Sequence, residues 1–478
     1  MWRHLTTGIL WAASSASVPS TLAASGSPED SSLLILGQDA GRSAVMNGRA
    51  FLVVDDGVHG AELWVTDGSA PGTVLLRDIH PGPAGSGVSA LTPAGGRLYF
   101  SADDGVNGQE LWRTDGTTAG TVLVADIDPG PGSSTPVSLT AIGSVVYFSA
   151  SRLATGREPW RSDGSAAGTA MVADLKPGEL PSDPGGFAPL GGRVLFSADG
   201  SAASGKGKRS RTTSIGRELW STDGTTAGTV LVKDIYSGFN GSNPGPFVEL
   251  GGALYFPAFT AERGEELWRT DGTRAGTVLV KDIVPGTGSS FVTRMRTHGG
   301  RLFFNANAGG GLWRSDGTAS GTVPATDFAP GVDGFIDADF RALGPRVLLT
   351  ARSSEGVGLW STDGTAAGTE FLQLLVGNED ALQEVRLASM VSGSRLLFVA
   401  HDPATGTELY ATDGTSRGTA LVRDIHPDQQ NPFVSPLLVL EVGGQVLFAA
   451  NEGISGWELW LSDGTPSGTF VLFDFMPD

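Results

Sequence analysis

The stretch Glu110-Leu111-Trp112-Arg113-Thr114-Asp115-Gly116-Thr117-Thr118-Ala119-Gly120-Thr121 recurs, with variations, nine times along the chain. Its aromatic position is Trp64, Trp112, Trp160, Trp220, Trp268, Trp313, Trp360, Tyr410 and Trp460. Successive copies lie 45–50 residues apart, except for one interval of 60 between Trp160 and Trp220. Each copy has an Asp-Gly pair three residues after the aromatic: Asp67, Asp115, Asp163, Asp223, Asp271, Asp316, Asp363, Asp413 and Asp463. A Gly-Thr closes every loop, its threonine six residues after that aspartate, from Thr73 to Thr469. Self-similarity at such a period is the mark of a repeat architecture.

Each repeat reads as four short strands. In the third, Val137–Ile142 and Val145–Ala150 are β-branched and aromatic-rich; Glu158-Pro159-Trp160 lies in the next strand, and residues 169–173 form the last. Tight Gly-Gly turns such as Gly95-Gly96, Gly251-Gly252 and Gly443-Gly444 join the first two strands of other repeats. Only Asp380–Met390 carries a trace of helical periodicity. The reading is all-β: a β-propeller of nine four-stranded repeats of about 48–50 residues, with two smaller propellers or an open array as alternatives. A single blade cannot bury its two faces, so neighbours must stack. Alternation along the motif strand puts Glu, Trp and Thr on one face and Leu and Asp on the other. The Trp is then an inter-blade wedge whose N–H needs an acceptor. The Asp-Gly-Thr loop is a turn device: the Asp accepts backbone N–H groups and its glycines take positive φ.

The motif resembles that of the bacterial ELWxxDGT-repeat proteins over residues 33–478. Gly311 and Gly358 replace its Glu, Pro159 its Leu and Tyr410 its Trp. The resemblance implies an exported or surface-associated β-propeller-like protein, in a family mostly without assigned activity. The turn also resembles the Asp-box of sialidase-type propellers but lacks its residue order, so no catalytic residue is transferred.

Composition agrees with that class. Among 478 residues are 70 Gly and 27 Pro, while charged residues stand at 17%, against ~25% in an average globular protein. The net charge of −19 would repel a phosphate backbone, which argues against nucleic-acid binding. With no Cys, thiol chemistry, disulfides and Cys-ligated zinc are excluded. Met1–His4, a modest apolar stretch from Leu5 to Val18 and small residues at Thr21–Ala24 resemble an export signal. The chain therefore divides into a signal peptide (1–25), an N-terminal segment (26–40) whose Leu33–Gly37 could add an outer ring-closing strand, and the repeats (41–478). No stretch is long and apolar enough for a membrane helix.

With four strands per blade, the Gly-Gly hairpins and Asp-Gly-Thr turns share one rim. The second-to-third-strand loops and blade-to-blade crossings share the other, and these vary most, so function is expected there. Ligand-binding candidates are Asp55, Asp56, Asp103, Asp104, Trp457, and Lys206 and Arg209 of a basic insertion at 200–214. The composition of that insertion predicts disorder. The crossings carry Asp78, Asp126, Asp174, Asp234, Asp282, Asp327 and Asp424. Among these, Asp126 with Asp128 is the weak candidate pair for Ca²⁺, against the simpler reading of a turn-forming Asp before Pro-Gly. His80 and His426 read as exposed turn residues. Ser416 fits a nucleophile-elbow pattern, and 200–206 approaches a P-loop. Comparison between repeats dissolves the first, and the missing Ser/Thr and helix the second. The functional expectation is a secreted or cell-surface, non-enzymatic and monomeric interaction protein without a cofactor, binding a glycan or protein. The alternative is a polysaccharide-acting hydrolase with two rim carboxylates as acid and base.

Overall fold

The structure is a computed structural model. It describes Leu34–Ile35 and residues 41–475, apart from 205–210, 307–310, 326–331, 335–340, 354–355, 364–366, 377–385, 392–394, 403–404, 426, 428–439 and 453–456. The expected signal peptide, Lys206, Arg209, Asp327 and His426 therefore lie outside the described residues.

Nine antiparallel sheets follow one another along the chain, each a meander whose neighbours in sequence are neighbours in space. Blade two is representative: Ser89–Ala94, Arg97–Asp103, Gln109–Thr114 and Val122–Ala125 pair in that order. Blade nine has its own four strands, Leu440–Val442, Gln445–Asn451, Trp457–Ser462 and Phe470–Phe473. First strands of most adjacent blades approach one another, including those of blades nine and one, so they line the axis.

Closure is visible in the packing. Among the described residues, each pair of adjacent blades encloses one apolar cluster. The last of these joins Leu447, Ala449 and Leu459 of blade nine to Ala50, Leu52 and Val54 of blade one. The chain is one nine-bladed propeller, which removes the two-ring and open-array alternatives. A closed ring leaves no blade face unburied, the requirement that a lone four-stranded sheet cannot meet.

The motif strand divides its side chains between two interfaces as alternation requires. Trp64 packs back onto blade nine, against Phe473 and Phe475, while Leu63 packs forward onto blade two. The indole N–H of Trp220 donates to the Ala198 carbonyl at 3.1 Å and that of Trp460 to the Ala450 carbonyl at 3.2 Å. Those of Trp64, Trp112, Trp160 and Trp360 have no protein acceptor, so the expected hydrogen bond is not general. Cations latch several interfaces. Arg77, Lys233 and Arg423 end the fourth strand of one blade and lie 5.3–5.6 Å from the indole of the next. Each also donates to the carbonyl of that blade's closing threonine, Thr121, Thr277 or Thr469.

Two expectations change. Leu34–Ile35 pairs with Val54 and Asp55 of blade one's second strand, on the edge that Ser43–Met46 occupies further along. It therefore extends the inner strand and is not an outer one. Arg386–Val391 is the first strand of blade eight, paired with Arg395–Asp402, because pairing and stacking override a weak helical period.

Candidate functional site

The Asp-Gly-Thr rim is self-satisfied. Asp115 Oδ1 accepts the N–H and hydroxyl of Thr117 at 2.9 and 2.7 Å, and the Thr117 hydroxyl accepts the Gly120 N–H at 3.0 Å. Thr114 and Thr121 join hydroxyls across the turn at 2.8 Å. Gly116 takes φ +91°, as a turn glycine should, but Gly120 is not in the left-handed region. Its constraint is space, since a Cβ there would lie 2.0 Å from Asp115 Oδ1. Hydrogen bonds from the following Ser or Thr hold the carboxyls of Asp67, Asp115, Asp163, Asp223, Asp271, Asp316 and Asp413 below the ordinary aspartate range. These turns thus support the fold above about pH 3.8 and lose that support as pH falls through the depressed values.

Ser416 belongs to this machinery: its hydroxyl donates to Glu370 of the preceding blade at 2.8 Å. It is a loop residue, as comparison between repeats indicates.

The opposite rim is organised by a group whose role sequence reading missed. Where a Glu opens the motif, as in every blade but six and seven, it is buried and caps the crossing that follows. Glu110 accepts the N–H of Ile127 and of Ser134, both at 2.9 Å, and the Ser134 hydroxyl at 2.6 Å. Glu62 with Ser86, Glu158 with Ser182 and Glu218 with Ser242 repeat the hydroxyl bond across the same 24-residue separation. A signal was present in the sequence. Where Gly311 and Gly358 replace Glu, the positions 24 residues on are Phe335 and Leu382, although Glu408 is kept with Pro432 at that place.

The candidate residues take varied parts. Asp56 Oδ1 accepts the N–H of Val58 and His59, and Asp104 Oδ1 those of Val106 and Asn107. Asp55 and Asp103 each accept one glycine N–H. All four shape their own loops. Trp457 is half-buried against the cluster joining blades nine and one. The flanks of the basic insertion are strand, Ser201 pairing with Ser214 and Ser204 with Arg211. The disorder expected from composition does not extend to them, because Ala202, Ala203, Thr212 and Thr213 continue the ladder.

Variation at the crossings also has a packing cause. The residue two past the crossing Asp contacts the second loop of the next blade, by different chemistry each time. His80 Nε2 lies under Gly105, where a Cβ would approach it to 2.9 Å, so His80 is half-buried and not an exposed turn residue. Asp128 Oδ1 accepts the Leu153 N–H at 3.0 Å. Lys176 Nζ stands 3.6 Å from Asp199 Oδ2. The rings of Tyr236 and Phe259 meet at 5.5 Å. Asp128 is thus an inter-blade tie, and no group of three or more metal-ligating side chains occurs among the described residues.

Blade four departs most from the pattern. Its second and third strands, Arg193–Ser204 and Arg211–Thr222, are lengthened into a long hairpin. At its base an open groove of about 390 Å³ is lined by Lys176, Pro177, Leu180, Gly200, Ser201 and Ser214. One wall is the crossing from blade three. There Glu158 Oε2 accepts the Leu175 N–H at 2.9 Å and the Ser182 hydroxyl at 2.7 Å. Its Oε1 is buried without a donor. In blades one, two, four and five that oxygen takes the N–H of His80, Asp128, Tyr236 or Val284. Burial pushes the Glu158 carboxyl up to about 7, with neighbouring Asp174 adding to the shift.

Because the folded value lies above 4.5, Glu158 supports the fold fully below pH 4.5 and loses that support as pH rises through 7. Thermal melts from pH 4.5 to 8 should show the wild type losing up to about 3 kcal/mol more than Glu158→Gln. Parallel curves for the two proteins would mean that Glu158 titrates normally.

The chain matches no family profile and no curated protein. Among solved structures, a puromycin hydrolase is 16% identical over 86% of this chain and 58% of its own, with a TM-score of 0.40. A puromycin-hydrolyzing peptidase of Mycobacterium tuberculosis is 12% identical over 76% and 58%, at 0.40. Prolyl oligopeptidase B from Galerina marginata is 11% identical over 80% and 56%, at 0.39. The chain spans little more than half the length of these proteins. At this similarity the resemblance carries no argument about reaction, and the nine-bladed fold rests on the strand pairing itself.

Proposed function

We propose that the protein is an exported, non-enzymatic interaction protein that binds a glycan or protein partner through the rim of second loops and crossings. One observation carries this reading. That rim exposes apolar side chains at successive blades: Val106 at 70%, Leu153 at 82% and Phe239 at 78% exposure, with Val58, Leu180 and Phe291 also exposed. Repeated from blade to blade along one rim, such exposure supports a contact surface there. The Asp-Gly-Thr rim, by contrast, spends its polar groups on its own turns. Export is supported by the signal-like start and by resemblance to the ELWxxDGT-repeat proteins. No helix among the described residues is long and apolar enough to cross a membrane.

The hydrolase reading has one observation in its favour, the carboxyl of Glu158 raised to about 7 beside Asp174. A general acid must reach the leaving group to within hydrogen-bonding distance, whereas Glu158 is fully buried beneath its crossing. Its raised pKa therefore fits a structural cap better.

Purified protein should be screened against envelope polysaccharides and culture-supernatant proteins, with and without calcium. Leu153→Ser combined with Phe239→Ser should weaken any binding about tenfold or more while leaving the melting temperature nearly unchanged, as exposed substitutions usually do. Thr117→Ala and Thr225→Ala on the other rim should lower stability and spare binding. The reverse pattern would make the repeat motif itself the recognition surface. Trp457→Ala should lower stability by about 1–2 kcal/mol, since it uncovers the seam between blades nine and one.

A further inference from the structure

We infer that the groove at the base of the blade-four hairpin is a binding site for a neutral saccharide. The inference rests on the rim-binding reading above and names the ligand class for one place on that rim. The groove's volume of about 390 Å³ falls within the range of small-molecule sites, about 300–1,000 Å³. Lys176 lies on its wall with only 19% of its side chain exposed, and its ammonium is 3.6 Å from the Asp199 carboxylate. That separation is too long for a hydrogen bond, so the ammonium on the groove wall keeps donors to offer a ligand, with the Asp199 carboxylate close beside it. A sugar hydroxyl suits such a pair, because it accepts from the ammonium and donates to the carboxylate at once.

The remaining lining is of the same kind. Ser201 donates its hydroxyl hydrogen to the Leu175 carbonyl at 3.0 Å, which leaves its oxygen lone pairs as acceptors. Ser214, exposed and paired with Ser201 across the hairpin, adds a second hydroxyl. Pro177 and the 64% exposed Leu180 supply an apolar surface for the C–H face of a ring. The charges of Lys176 and Asp199 cancel, and the carboxyls of Asp174 and Glu158 belong to the same crossing, which disfavours an anionic sugar.

The opening is particular to this blade. The loop of blade two carries Asp104, whose carboxylate closes the loop on Val106 and Asn107. In blade four the corresponding residue is Gly200, where a Cβ would lie 2.3 Å from Trp220 Cζ2. Only glycine fits there, because the indole of Trp220 packs where a Cβ would stand, and the bare Gly200 backbone is what lines the groove.

The test is titration calorimetry with cellotetraose and maltotetraose as neutral probes and tetragalacturonate as the anionic one. The expected result is binding of a neutral probe, weakened about tenfold or more by Lys176→Gln and by Asp199→Asn, the loss expected for a hydrogen bond to a charged group. Asp103→Asn in blade two should change nothing, and melting temperatures of all three variants should match the wild type. Neutral-probe binding unaffected by either groove variant would overturn the site while leaving rim binding in place. Preference for tetragalacturonate, or no saccharide binding by protein that still captures a partner through Leu153 and Phe239, would overturn the ligand class alone. Binding abolished by Thr117→Ala but not by the groove variants would overturn both.

Discussion

Trp460→Ala should destabilise the ring by about 3–5 kcal/mol, the range for truncating a buried aromatic. Trp460 is 1% exposed, stacks on Phe448 at 6.1 Å and packs with Leu397 and Leu409 of blade eight. Arg423 of that blade lies over its ring. Removal therefore opens a cavity between two blades and frees a cation from its latch. Urea unfolding at fixed pH measures the loss. Because a closed ring cannot release one interface without straining the others, the transition should move as a whole and not acquire a separate early step. A change below about 1 kcal/mol would show that neighbouring blades close the gap by sliding together, against the dense packing assumed here.

Glu110→Ala should cost about 3–4 kcal/mol, although the partners of this glutamate lie well outside the motif itself. Its carboxyl is fully buried, and burial raises its pKa, so the charge itself is a burden. The loss comes from the partners: truncation strands the N–H groups of Ile127 and Ser134 and the Ser134 hydroxyl, each costing about 1–3 kcal/mol when buried unpaired. Replacing both ends, Glu110→Gly with Ser134→Phe, imitates the pairs Gly311 with Phe335 and Gly358 with Leu382. That double variant should be more stable than the sum of its single changes by about 1 kcal/mol or more. Strict additivity would mean that the glutamate acts independently of the serine.

The blade count, the four-strand unit and the division of loops between two rims were legible because the motif repeats with constant internal spacing. Period-two alternation around Trp112 was enough to assign its two faces. The Asp-Gly-Thr turn was legible for the same reason, since Asp115, Gly116 and Thr117 act within a few residues of one another. The role of Gly120 was misread: its need for glycine comes from a carboxylate packed against it, and local φ preferences say nothing of that.

The rest needed the ring. Glu110 and Ser134 are 24 residues apart, and only the return of the chain at the crossing makes them partners. Asp128 ties its crossing to the Leu153 N–H, a partner 25 residues on that only the next blade brings to it. Lys176, Leu180 and Gly200 line one groove only when blade three's crossing lies beside blade four's hairpin. Sequence alone therefore determined what depends on local periodicity and turn chemistry: an all-β array of nine like units. Tertiary structure alone decided closure and the candidate site, because both depend on contacts between one blade and the next, where residues nearly equivalent by repeat meet different neighbours.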